Sequence, residues 1–346
     1  MNPRFYFATC QVGAEKAVKV EVLAECPQLK FAFSRPGFIT FKEDSDQKPA
    51  LILKKAIFTR LWGEVLGQTK DEATLPELLK LIPAKQVIQI FDRDQFVPGD
   101  EPESFVQHSH IQGISSEISG FEWNGIPALG AQVYSLIWVD DFHVFLGRHT
   151  YSENLSNAPG NIPKIKLSEE SPSRAYLKIE EAFYRFKPKI EKGMQVLEIG
   201  CSPGGATVSM ISRGLMVTGI DPKNMDPKIY KLAGFKHIQK PAKDITATDL
   251  SMLMINPEWI VLDMNTAPLE TLDELNHVIS LLRKNLGKNL KLKQGFLTIK
   301  LNDWKFASSI PLYLKRLEEM GFQDLHPIQL ATNRQEFFVW SSKFRV

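Results

Sequence analysis

Residues 194–205 of this 346-residue chain read Met-Gln-Val-Leu-Glu-Ile-Gly-Cys-Ser-Pro-Gly-Gly. An apolar run holding one acid, Glu198, stops at Gly200, and Ser202-Pro203-Gly204-Gly205 then opens into a segment with helical spacing. A strand, a glycine turn and a helix N-terminus together let backbone approach a ligand closely. Two residues narrow the ligand. Pro203 removes an amide from any phosphate nest, and Glu198 repels a pyrophosphate while suiting a cationic amino-acid group. A hydride-transfer enzyme more typically carries Gly-x-Gly-x-x-Gly at this point. The turn therefore favours S-adenosylmethionine, a phosphate-free nucleoside with an ammonium and a sulfonium, over a nicotinamide cofactor.

The elements around the turn place further polar residues. From Ser173 onward strands and helices alternate: a helix over 175–186, strands over 195–199, 216–220, 237–240, 259–262 and 295–301, and helices over 269–286 and 310–320. Two closing strands fall at 323–330 and 336–340. Alternation predicts an α/β domain with a mainly parallel sheet, whose ligands sit at the C-terminal strand ends. Asp221 and Asp263 fall at such ends and Lys300 near one, while Asp244 follows the third strand. Asp221 lies about 20 residues beyond the turn, where an acid binds ribose hydroxyls.

Residues 1–152 follow a different pattern. Strands over 4–9, 31–34, 38–42, 86–92, 128–139 and 143–147, with helices over 13–25 and 51–66, predict small sheets with helices, a smaller α+β region. Residues 153–172 hold Pro159, Pro163 and Pro172 among several Ser and Asn, the composition of a linker, which leaves 173–346 as the second domain. Charge divides along the same line: residues 1–150 carry 15 Lys+Arg against 19 Asp+Glu, so the excess of basic residues lies in the C-terminal half, where it suits a polyanionic partner. Cys10, Cys26 and Cys201 lack paired spacing and fit free thiols in a reducing cytoplasm. Neither a signal peptide nor an apolar stretch of bilayer length is expected. His108 and His110 lie near Glu101 and Glu103, but no ligand cluster with zinc-like spacing follows, so no metal is expected.

Ser173-Arg-Ala-Tyr-Leu-Lys178-Ile-Glu-Glu-Ala-Phe183, followed by Glu198-Ile-Gly-Cys-Ser-Pro-Gly-Gly205, resembles the FtsJ-type ribose 2′-O-methyltransferases. Leu262-Asp263-Met, Thr298-Ile-Lys300-Leu and Asn333-Arg-Gln-Glu336 match the rest of that family's Lys-Asp-Lys-Glu tetrad, in order. Within the family, the Ser173–Phe183 run, Asn161-Ile-Pro-Lys-Ile-Lys166 and Phe58-Thr-Arg-Leu-Trp62 are most like a branch acting on a cytidine of 23S ribosomal RNA. The resemblance implies a Rossmann-like domain with a seven-stranded sheet, its last strand antiparallel, preceded by a THUMP-like RNA-binding region. It implies Lys300 as general base, Lys178 positioning the hydroxyl, Asp263 between lysine and methyl donor, and Glu336 holding the second lysine. It assigns S-adenosylmethionine to Ser173, Ser202, Pro203, Gly204, Gly205, Asp221, Asp244 and Asp263, beside Glu198 and Gly200 of the turn. The implied partner is large-subunit ribosomal RNA or its precursor, in the cytoplasm, with no membrane and no obligate protein partner.

The implied chemistry is physically consistent. A ribose hydroxyl is a poor nucleophile unless its proton leaves as it attacks, and a lysine, with a reference pKa of about 10.4, is ordinarily protonated. A neighbouring like charge or desolvation lowers that value, so Lys178 near Lys300 would favour a usable base. Cys201 has no base-bearing motif and reads as a small turn residue. Three alternatives stay open: an RNA-binding pseudoenzyme of the same fold, a 2′-O-methyltransferase acting on another RNA, and a nicotinamide-dependent oxidoreductase, which Pro203 disfavours.

Overall fold

The structure, a computed structural model, describes residues 3–43, 53, 55–103, 120–141 and 143–346. His108 and His110 lie outside these residues. The chain divides into two compact units, Met1–Lys164 and Ile165–Val346.

The N-terminal unit is built on strands β1 (Phe5–Thr9), β2 (Leu29–Arg35), β3 (Phe38–Glu43), β4 (Leu61–Thr69), β5 (Val87–Asp92), β6 (Glu122–Trp123), β7 (Gln132–Asp140) and β8 (His143–Thr150). Among the described residues they form one sheet in the order β2-β3-β1-β4-β8-β7-β5-β6, with helices α1 (Glu15–Glu25) and α2 (Leu75–Leu79). Small separate sheets were the expectation; β4 joins them, pairing with β1 on one side and β8 on the other. The helix expected over 51–66 is corrected by the same pairing. Leu61, Trp62, Val65 and Leu66 mimic helical spacing, yet they belong to β4, whose long-range ladders outweigh local pattern. Part of that range, residues 51, 52 and 54, lies outside the described residues. The Pro/Ser/Asn-rich stretch is partly tied down: Ser156 and Asn161 are buried, and Asn161 Nδ2 donates to the Arg60 carbonyl at 2.6 Å.

The C-terminal unit carries β9 (Gln195–Ile199), β10 (Met216–Ile220), β11 (Phe235–Ile238), β12 (Trp259–Asp263), β13 (Gln294–Lys300), β14 (Phe322–Ile328) and β15 (Glu336–Phe344). Their order is β11-β10-β9-β12-β13-β15-β14. β15 runs antiparallel to both neighbours, while β9 to β13 pair in parallel. This is a Rossmann-like sheet. Helices α3 (Ala175–Phe186), α4 (Gly205–Ile211), α5 (Ala247–Met252), α6 (Pro268–Leu286) and α7 (Ile310–Glu319) complete the unit.

Helix α3 follows directly from its sequence. Ile179, Ala182, Phe183 and Phe186 recur at helical spacing and pack on Val196, Trp259, Phe296 and Phe338 of the sheet. Phe183 meets the Phe296 ring edge-on at 5.4 Å, and burying such a side chain is worth about 1.5–3 kcal/mol. The helix ends at Lys187, in the left-handed conformation at φ 44°, one residue before Pro188. Among the described residues, no helix is long and apolar enough to cross a membrane.

Candidate active site

The parallel strands β9, β10, β12 and β13 end on one edge, at Ile199, Ile220, Asp263 and Lys300. The order of connections reverses between β9 and β12, where such sheets open a ligand crevice. Lys300 stands directly opposite Glu336 in the β13–β15 ladder, so the two side chains share a face. Helix α3 supplies Lys178 from the other side. The four charged groups close into a ring of alternating sign. Lys178 Nζ lies 2.9 Å from Asp263 Oδ2 and 2.7 Å from Glu336 Oε1. Lys300 Nζ lies 3.0 Å from Asp263 Oδ1 and pairs with Glu336 Oε2.

This arrangement changes the expected electrostatics. Like-charge repulsion between the lysines does not dominate, because each ammonium is flanked by both carboxylates. Burial pushes the Lys178 ammonium toward deprotonation, but Asp263 and Glu336 outweigh it and raise its pKa. Burial likewise pushes the Asp263 carboxyl up, and Lys178 and Lys300 outweigh that and lower it. Lys178 is therefore held as a cation, a fixed charge and not a proton acceptor. Lys300 sits at the strand end, its side chain 19% exposed against 3% for Glu336, so of this pair the lysine faces the crevice.

Two residues that the sequence did not single out for a role hold the ring in place. Asn333, fully buried, donates from Nδ2 to Glu336 Oε1 at 2.8 Å and accepts from the Leu330 amide at 2.8 Å. Glu181, one turn along α3 from Lys178, accepts the Ala331 amide at 2.9 Å and Arg185 Nε at 2.7 Å. It ties the helix bearing Lys178 to the loop that leads into Glu336 at the start of β15. The available signal was an acid on the apolar stripe of α3, between Ile179 and Ala182, since a buried acid is rare unless paired.

The cofactor candidates surround the turn after β9. Gly200 (φ 82°) and Gly204 (φ 117°) occupy left-handed backbone. A Cβ at Gly200 would stand 2.5 Å from the Asp263 carbonyl oxygen, and one at Gly205 would stand 2.2 Å from Ser173 Oγ. These glycines thus serve close approach within the protein, bringing β12 and the start of α3 against the turn. Ser173 Oγ is buried and, among the described residues, has no hydrogen-bond partner, a hydroxyl suited to a ligand at this cradle. The Ser202 amide donates to Asp221 Oδ2 at 3.1 Å and its hydroxyl to the Asn224 carbonyl at 2.8 Å. Asp221 also accepts the Lys223 amide at 2.8 Å, so its carboxylate braces the loop it belongs to. Pro203 is exposed, and Asp244 lies exposed in a short 3-10 turn, Ala242–Asp244. Cys201 is buried beside Met225, and burial pushes its thiol well up, as befits a packing residue.

Glu198 is buried beneath the turn and accepts from Thr207 Oγ1 at 2.6 Å. Burial pushes its carboxyl up to about 8, with Asp263 and Asp221 adding to the effect against the Thr207 bond. A carboxyl raised in the folded state favours folding fully below its ordinary value of 4.5, and that contribution is lost as pH rises through about 8. The melting temperature is therefore expected to fall between pH 5 and 8.5. Glu198→Gln, which keeps an acceptor without the charge, should flatten that fall in a scanning fluorimetry series; parallel curves for both proteins would refute this. Among the described residues, no group of three His, Cys, Asp or Glu is placed to hold a metal.

Sheet order, crevice and charged ring define a class, and residues 172–343 match the FtsJ-like methyltransferase family. The chain is 33% identical over 286 residues to ribosomal RNA large subunit methyltransferase M of Aeromonas hydrophila, covering 75% of each chain. It is 26% identical over 293 residues to the protein of that name from Tolumonas auensis, covering 78% of this chain and 77% of that one. The chain belongs to the ribosomal RNA large subunit methyltransferase M family. TrmN from Thermus thermophilus superimposes along 98% of this chain and 99% of its own at 13% identity, with a TM-score of 0.37, too loosely to inform on the site.

Proposed function

We propose that the protein transfers a methyl group from S-adenosylmethionine to a ribose 2′-hydroxyl of large-subunit ribosomal RNA, at a cytidine, with Lys300 as general base. The observation that carries this reading is the alternating ring of Lys178, Asp263, Lys300 and Glu336 at the C-terminal edge of the sheet, beside the glycine turn. When bound, S-adenosylmethionine supplies an electrophilic methyl on a sulfonium sulfur. The chain's own task is then to place the hydroxyl and remove its proton.

Lys178, held cationic, donates to the ribose oxygen and orients a lone pair toward the methyl carbon. Lys300 Nζ, in its amine form, accepts the hydroxyl proton as the oxygen attacks. Asp263 and Glu336 then stabilise the ammonium that forms, so no charge is left unpaired in the crevice. Ser173, Ser202–Gly205, Asp221 and Asp244 would hold the cofactor's polar edges, and Glu198, buried beneath the turn, would favour its cationic group. The N-terminal unit acts as a THUMP-like region that grips RNA, and the reaction takes place in the cytoplasm.

A test of the cradle uses Gly205→Ala. The added methyl meets the Ser173 hydroxyl and carbonyl at 2.2 and 2.7 Å and the Tyr176 amide at 3.0 Å, mostly backbone that cannot turn aside. Overpacking of this kind costs about 1–3 kcal/mol. The variant is expected to lose S-adenosylmethionine binding in calorimetry beyond what its lowered melting temperature explains. Unchanged affinity would remove the turn from the cofactor site. The function itself is tested by mapping ribose methylation in 23S ribosomal RNA from a strain lacking the gene: one site should lose its methyl and regain it on complementation.

A further inference from the structure

The motif Phe58-Thr-Arg-Leu-Trp62 has no part in the ring or the turn, yet it is among the most tightly held segments of the N-terminal unit. The Glu21 carboxylate accepts the amides of Ile57, Phe58 and Thr59 at 2.8, 3.0 and 3.2 Å. The Arg60 amide donates to the Thr9 carbonyl at 2.8 Å, its guanidinium pairs with Asp94, and Asn161 binds its carbonyl. This fixes Trp62 at the start of β4, where it stacks on Tyr6 of β1 with ring centroids 5.6 Å apart and planes inclined by 15°. Fixing a side chain in advance removes the ordering cost from a later binding event.

Tyr6 and Trp62 form one wall of a cavity of about 250 Å³ that Glu64, Gln132, Arg148 and Thr150 also line. The residues come from four adjacent strands: Tyr6 opposes Glu64, Glu64 opposes Arg148, and Gln132 opposes Thr150. Arg148 donates to Glu64, and Gln132 Nε2 donates to Thr150 Oγ1 at 2.8 Å. The volume is below the range of about 300–1,000 Å³ typical for drug-sized ligands. It suits a single small ring system. Its one cation is already neutralised by Glu64, so phosphate gains little there. An aromatic wall facing a carboxylate, a guanidinium, an amide and a hydroxyl matches a flat, neutral heterocycle with mixed donors and acceptors along its edge.

We propose that this cavity is a nucleobase-binding site that takes one unpaired base of the RNA substrate, apart from the ribose that is methylated. The proposal rests on the RNA-methyltransferase reading above and adds to it a base-reading subsite in the N-terminal unit. Stacking lets any base enter; Glu64, Gln132 and Arg148 select by the edge it presents.

The test uses the full chain and two sources of the same chemistry: single-stranded RNA oligonucleotides carrying 4-thiouridine, and the four free nucleosides. Photocrosslinking followed by peptide mass spectrometry should label the peptides bearing Tyr6 or Trp62. Arg148→Met and the milder rim change Gln132→Leu should each weaken oligonucleotide binding by about fivefold or more, with kcat at saturating RNA and S-adenosylmethionine affinity unchanged. Free nucleosides that protect the same peptides from crosslinking support the site; nucleosides that bind there while oligonucleotides do not would overturn its assignment to RNA. If the wild type transfers methyl groups, but crosslinks fall elsewhere and both variants bind RNA normally, the cavity proposal fails alone. If no methyl transfer occurs at all, the underlying reading fails instead, and the crosslinking result still reports on the cavity.

Discussion

Lys300→Met is expected to abolish methyl transfer while leaving S-adenosylmethionine binding close to that of the wild type. The substitution keeps most of the apolar stem and removes only the group that takes the proton. General-base assistance is typically worth about 10²–10⁴-fold, and a residual rate at least two orders of magnitude lower should follow. Lys300 lies at the end of β13, and its partners are Asp263 and Glu336; the glycine turn depends on neither contact. Calorimetry with S-adenosylmethionine and single-turnover methyl transfer therefore separate the two outcomes. Retained transfer in the variant would exclude Lys300 as the base.

Asp263→Ala should do damage of a different kind. Asp263 is the shared partner of both lysines, at 2.9 Å from Lys178 and 3.0 Å from Lys300, and its carbonyl packs against Gly200. Removing its carboxylate leaves two ammonium groups with Glu336 alone in a largely buried ring. Breaking one partner out of a buried ion network costs about 3–5 kcal/mol, so the melting temperature should fall along with activity. A variant with normal stability and rate would contradict the ring as the organising feature. Lys178→Met combined with Asp263→Ala should recover part of the lost stability, because it removes the excess charge.

Much of this site was legible in the sequence because parallel sheets put their ligand residues at predictable places. Strand–helix alternation alone located Asp221, Asp263 and Lys300, since each ends or nearly ends an apolar run. Glu336 was not legible that way; it begins an antiparallel strand, and only its likeness to the family's tetrad assigned it a role. Glu181 was missed as a support because its partner Ala331 lies 150 positions away in sequence; Asn333 was missed because its bonds to Glu336 and the Leu330 amide arise in an irregular loop that no periodicity announces. The resemblance set the two lysines together with Asp263 and Glu336 orienting them; what it could not show is that both carboxylates reach Lys178 and raise its pKa against burial.

The N-terminal unit was less readable. Its continuous sheet depends on pairings such as Glu64 with Arg148, which no local pattern announces. Leu61–Thr69 imitated helical periodicity because Leu61, Trp62, Val65 and Leu66 fall at helical spacing, while an irregularity between Val65 and Gly67 breaks the strand's alternation. The short elements α2 and β6 carry too few residues for any period to register.

The central claim, that this ring transfers a methyl group to a ribose oxygen of RNA, is tested most directly by incubating the purified chain with labelled S-adenosylmethionine and unmodified 23S ribosomal RNA. The predicted result is label on a single cytidine, resistant to alkaline cleavage at that ribose and absent with Lys300→Met. Label on a base instead of a ribose, or no label on any RNA, would contradict the account.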